Sequence, residues 1–166
     1  SKQNKENLFL LIKSLSKSEK RQFKLFVGRV KSNKDSKFIK LFNLLDKSTK
    51  YDELGILKKK FVTKQQLSNL KAHLYSQILQ SLRMNPMLQD NRMMIREQID
   101  FATVLYQKGL YKQSLKILEK GKNMSIDLDE KYSAFEIVEI EKLIESQYIT
   151  RSMSNRADEL IKHSKS

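Results

Sequence analysis

Lys58, Lys59 and Lys60 stand in a row, and Thr63, Lys64, Gln65, Ser68, Asn69 and Lys71 follow them closely. Ammonium groups bind phosphate oxygens, while amides and hydroxyls on one face of a helix hydrogen-bond to base edges. A short helix over residues 52–61, a turn, and a second helix opened by Thr63 would make a helix-turn-helix. The second group would then enter a major groove and the three lysines would sit on phosphates. Two features oppose this. The second helix is long and carries a full apolar stripe. Lysine also outnumbers arginine, whose planar fork suits bidentate base recognition better. A solvated, Lys-rich helix exterior accounts for the same residues without any ligand.

Other residue types that carry chemistry are scattered. His73 lies beside an apolar stripe and His163 is near the last residue, so neither belongs to a metal-spaced pair. Asp127, Asp129 and Glu130 match a helix N-terminus, where the dipole favours carboxylates. Glu136, Glu139, Glu141 and Glu145 read as a solvated helix face. Neither acidic group has the glycine and alternating oxygen ligands of a calcium loop. There is no Cys, which removes disulfides, thiolate metal sites and a Cys nucleophile. Four Gly in 166 residues leave no Gly-rich phosphate loop and too few turns for an all-β fold. Met84, Met87, Met93 and Met94 crowd one stretch, as adaptable core filler or as a pliable binding groove. The expectation is a protein that is not an enzyme, with no catalytic or metal site and no cofactor.

Charge divides the chain. Residues 1–85 hold twenty Lys and Arg against six acids, so the whole net charge of +14 lies there. Residues 86–166 hold thirteen of each. The change falls at Asn85-Pro86, where Asn before a Pro at a first helical position signals a helix start. This predicts a basic helical sub-bundle over 1–85 and a neutral helical part over 86–166. No run approaches the ~18–20 consecutive apolar residues of a membrane span, and a cytoplasmic protein is expected. The chain begins at Ser1 without a Met, and a removed leader would leave no trace here.

Helical periodicity sets the elements. Leu8, Leu11, Ile12 and Leu15 share one face. Ser16 and Glu19 form a capping box for a helix carrying Phe23, Phe26, Val27 and Val30. After a polar loop over 31–35, Asp35 or Ser36 caps a helix with Phe38, Leu41, Phe42 and Leu45 inward. Asp52 caps a short helix through Leu54, Leu57 and Phe61. Thr63 and Gln66 form a second capping box for a helix with Leu67, Leu70, Leu74, Ile78 and Leu82. Four segments follow: one to Lys108, one over 111–123, a long one after Asp127 carrying Tyr132, Phe135, Val138, Leu143 and Ile144, and a last one over 155–163. Short connections make neighbours antiparallel. The fold class expected is all-α.

The stretch from Phe101 to Gly121 resembles one tetratricopeptide-type helical repeat. Ala102 is small where the first helix approaches the second. Gly109 permits the tight turn, and Tyr111 packs under it. Ser114 and Gly121 are small where the second helix nests, and Leu118 fills the space between. Gln98 stands in place of the family's opening aromatic and Ile126 in place of its closing Pro. Ala157, Ile161 and Ser164 echo the spacing of Ser114, Leu118 and Gly121. The segments Ser16–Phe26 and Tyr75–Arg83 are similar to the start of uncharacterised bacterial repeat proteins. The resemblance implies a short right-handed α-solenoid that continues past Ser166. It also implies a scaffold that binds a protein or peptide. Generic helix hairpins would need the same small residues, so both readings stand. Nucleic-acid binding through the basic half is the alternative function.

Overall fold

The structure, a computed structural model, describes residues 7–29 and 33–165, including all side chains except those of 33–36. Among these residues are eight α-helices, one 3-10 turn and no strand, so the protein is all-α. It divides into two compact units, Ser1–Leu88 and Gln89–Ser166. No helix among the described residues is long and apolar enough to cross a membrane.

The first unit holds α1 (Asn7–Ser14), α2 (Lys17–Gly28), α3 (Asn33–Lys47), α4 (Glu53–Lys58) and α5 (Lys64–Arg83), then a 3-10 turn over Pro86–Leu88. One core joins them. Leu8 and Ile12 enter from α1, Phe23 and Val27 from α2, Phe38, Leu41, Phe42 and Leu45 from α3, Ile56 from α4, and Leu67, Leu74 and Ile78 from α5. The apolar rows recur every three or four residues, so each helix has one face to bury. Full burial of each such side chain stabilises the unit by about 1.5–3 kcal/mol.

Local signals start most of these helices. Glu19 N–H donates to Ser16 Oγ at 3.2 Å, and Ser16 N–H donates to Glu19 Oε1 at 2.8 Å. Gln66 N–H donates to Thr63 Oγ1 at 3.2 Å, and Thr63 N–H to Gln66 Oε1 at 3.1 Å. Asp52 Oδ1 accepts from Gly55 N–H at 3.0 Å. Thr63→Ala is expected to destabilise the first unit by about 1 kcal/mol. The measurement is the denaturant midpoint. An unchanged midpoint would mean that packing of Val62 and Leu67 alone holds the start of α5.

Several expected boundaries move. α3 begins at Asn33, so Asp35 and Ser36 lie inside the helix rather than capping it. Val30 and residues 31–32 of the expected loop lie outside the described residues. α4 stops at Lys58 instead of reaching Phe61. Lys60 takes φ +57°, a left-handed conformation that ends the helix and lets Val62 turn into the core. Within α4 it is Ile56 that is buried, and Leu54 is exposed.

The second unit is a three-helix assembly of α6 (Asn91–Gln107), α7 (Tyr111–Asp127) and α8 (Lys131–Ser164). Asp90 caps α6, its Oδ1 accepting from Met93 N–H at 2.8 Å. The expected Asn85 cap serves only the 3-10 turn, accepting from Met87 N–H at 3.1 Å. α7 runs on to Asp127, so Asp127 ends a helix instead of opening one. Asp129, at φ +57°, makes the turn into α8. The expected break before residue 155 is absent, since α8 is continuous over 34 residues, about 51 Å. No Gly or Pro interrupts residues 131–164, so nothing local stops it. The echo at Ala157, Ile161 and Ser164 is therefore the exposed end of α8 and not the second helix of a hairpin.

Candidate functional site

Ala102, Gly109, Tyr111, Ser114, Leu118 and Gly121 all lie where α6 and α7 pack or turn. Gly109 has φ +79°, a conformation side chains rarely adopt, and it carries the chain from α6 into α7. Ala102, Ser114, Leu118 and Gly121 are buried. Ser114 Oγ donates to the Ala102 carbonyl at 2.7 Å, tying the two helices together. A Cβ on Gly121 would lie 3.2 Å from Ile137 Cδ1 and 3.3 Å from Gln98 Cβ. Gly121 is thus the point where α6, α7 and α8 meet. Gln98, standing where the resemblance would have an aromatic, fills part of this junction. Tyr111 packs at a tilt on Tyr106 at 5.3 Å and meets Tyr148 edge-on at 6.3 Å, with the Arg151 guanidinium 5.3 Å from its ring.

Ion pairs brace α8 against both partners. Arg92 Nε donates to Glu130 at 3.1 Å, and Arg96 forms two bonds to Glu136 at 2.9 and 3.3 Å. The Arg side chains are largely exposed, so each pair stabilises by no more than about 1 kcal/mol. Lys122 Nζ lies 3.2 Å from both oxygens of the half-buried Glu141 and donates to Oε2. Three residues expected on the solvated acidic face, Glu136, Glu139 and Glu141, are thus taken up in pairs, Glu139 with Lys142.

The core side of α8 is Ile137 and Ile144. Of the other apolar residues that the sequence places on this helix, Tyr132, Phe135 and Leu143 are 86%, 67% and 60% exposed. Met153 and Leu160 are exposed further along. α8 therefore carries apolar residues on two faces, and only one of them is covered within the unit. Met84, Met87 and Met94 are also exposed, which removes them from the core.

Comparison of the chain with protein-family models, with curated proteins and with solved structures finds no match in any of the three.

In the first unit Lys58, Lys59, Lys60, Lys64, Ser68 and Asn69 are exposed. Lys71 is not available in the same way. Its Nζ donates to Tyr51 Oη at 2.8 Å and sits 5.0 Å over the Tyr51 ring. The Thr63 hydroxyl is held in its cap. Residues 59–63 separate α4 from α5, longer than the three or four residues of a helix-turn-helix turn. His73 is exposed and packs tilted against the Phe38 ring at 4.6 Å, a contact invisible in the sequence because it joins α5 to α3. His163 lies in the last turn of α8. Among the described residues no three His, Cys, Asp or Glu side chains gather into a metal-binding group.

Proposed function

We propose that the protein is a non-enzymatic, tetratricopeptide-like helical scaffold that binds a protein or peptide partner through its second unit. The observation that carries this reading is the uncovered apolar face of α8. Tyr132, Phe135 and Leu143 expose large apolar surfaces on a rigid helix, in a unit whose charges balance. Exposed aromatic and aliphatic side chains grouped on one element mark interaction surfaces, and buried aromatics supply most of the energy of such contacts. The small residues at the α6–α7 contact, and the φ of Gly109, support the repeat-like reading of the hairpin. On this reading the protein works in the cytoplasm.

The test is a photocrosslinking amino acid placed at Tyr132 in the full-length protein in cells, with Lys112 on α7 as the control position. A discrete crosslinked partner is expected at Tyr132 only. Phe135→Asp with Leu143→Asp should abolish that product while helicity and melting stay unchanged. Equal crosslinking at both positions, or a product indifferent to the double substitution, would sink the proposal.

A further inference from the structure

Two depressions are lined in part by α3 of the first unit. One, of about 430 Å³, lies between α3 and α5, with an apolar floor of Phe38, Val62 and Leu70. Its rim is polar, made by Lys37, Asn69 and His73 with Gln66. The other, of about 550 Å³, is lined by Lys40, Lys47 and Lys59 with Asn43 and Ser48. Lys37 and Lys40 stand one turn apart on α3, and Lys47 follows two turns on, so the three ammonium groups track about 15 Å of one helix face. All three lysines and Lys59 are exposed. Asp52, the α4 cap, also lines the second depression and its carboxylate offsets part of this charge, leaving the lysines in excess. Asp46 is paired with Lys20 at 2.6 Å.

The first depression has the chemistry of a base pocket. His73 presents an imidazole that packs against Phe38 with the two ring planes tilted by 49°. Aromatic faces of this kind stack on nucleobases without regard to sequence. The Gln66 Oε1 is held by the Thr63 N–H, which leaves its NH2 to donate. Asn69 stands one turn from both Gln66 and His73 and adds an amide able to donate and accept. Lys37 brings a cation to the same rim. A duplex would keep its bases out of such a groove, whereas a single strand can turn one in.

We propose that the first unit binds single-stranded nucleic acid. Its phosphates run along Lys37, Lys40, Lys47 and Lys59, and one base inserts between α3 and α5 against His73, Gln66 and Asn69. This surface belongs to the basic unit and is independent of the α8 face. It shares Lys59 and Asn69 with the helix-turn-helix reading but differs from it in running along α3 and taking a single strand, where that reading sets Lys58, Lys60, Lys64 and Ser68 on a duplex.

The test uses the whole protein and labelled poly(dT), poly(dA) and a DNA duplex, titrated by fluorescence anisotropy over a salt series. Single strands are expected to bind more tightly than the duplex. Four phosphate contacts give a slope of log affinity against log salt of roughly −3. Lys40→Ala, Lys47→Ala and Lys59→Ala together should bring the slope to roughly −1. Asn69→Ala with His73→Ala should weaken binding by roughly five- to a hundredfold, the range of a lost base stack, and leave the slope unchanged. His73→Tyr, which keeps the stack, should retain affinity. Circular dichroism reports that each variant is folded.

Absence of binding at low salt overturns the proposal. So does preference for the duplex, or binding lost on replacing Lys58, Lys60 and Lys64 but not the groove residues. Polyglutamate competing as well as poly(dT), with Asn69→Ala and His73→Ala without effect, would assign the surface to an acidic protein instead.

Discussion

Phe42→Ala is expected to remove about 3–5 kcal/mol from the first unit. Phe42 is fully buried, and its ring lies 4.9 Å from that of Phe23. The pair links α3 to α2 at the centre of a core that also receives α1 and α5. Truncation loses the transfer energy of the ring, leaves a cavity, and forfeits an aromatic contact of about 0.5–1.5 kcal/mol. A domain of this size has only about 5–15 kcal/mol in total, and the unit carries the whole +14 charge, whose self-repulsion opposes compaction. The measurement is denaturant unfolding followed by helicity. The signal from the first unit should shift to a much lower midpoint or vanish, while that of the second unit stays. Leu25, which is 59% exposed, provides the control. Leu25→Ala should change stability by less than about 0.5 kcal/mol. Comparable effects at both positions would contradict the core described here.

Gly121→Val is expected to destabilise the second unit by about 1–3 kcal/mol or more. The added Cβ meets Ile137 Cδ1 and Gln98 Cβ at once. The Ile137 methyl ends a flexible chain and can yield a few tenths of an ångström. Gln98 Cβ is fixed to the α6 backbone and cannot. The two further methyl groups of valine then have to force α7 away from α6 or α8. Gly121→Ala is a milder case, because a gain of about 1 kcal/mol in helix propensity opposes the crowding. Thermal melting separates the two, since each kcal/mol moves the midpoint of a unit this small by roughly 4–8 °C. A valine variant as stable as the alanine one would show that α6, α7 and α8 do not meet closely at this residue.

Much of the architecture was legible because its causes are local. The Ser16–Glu19 and Thr63–Gln66 capping boxes are each written within four residues, and both close as the spacing requires. The stripe of Leu67, Leu74 and Ile78 is a single face with one possible inside. Gly109 could be read as a turn because a left-handed residue between two helical patterns leaves few alternatives. The candidate nucleic-acid groove was only half visible. Asn69 stood out as a polar residue on α5, but the Phe38–His73 contact and the alignment of Lys37, Lys40 and Lys47 beside it depend on how α3 meets α5.

The residues by themselves determined that this chain is helical, where most helices start, and that its positive charge is confined to one part. Those properties follow from hydrogen bonds and spacings a few residues long, or from composition alone. Tertiary structure decided which face of α8 is inside. Ile137 and Ile144 are on one side, Phe135 and Leu143 on the other, and both sets recur at helical spacing. Periodicity shows that such faces exist. Only the close approach of α6 and α7, set by Ala102, Ser114 and Gly121, selects the one that is buried and leaves the other to solvent.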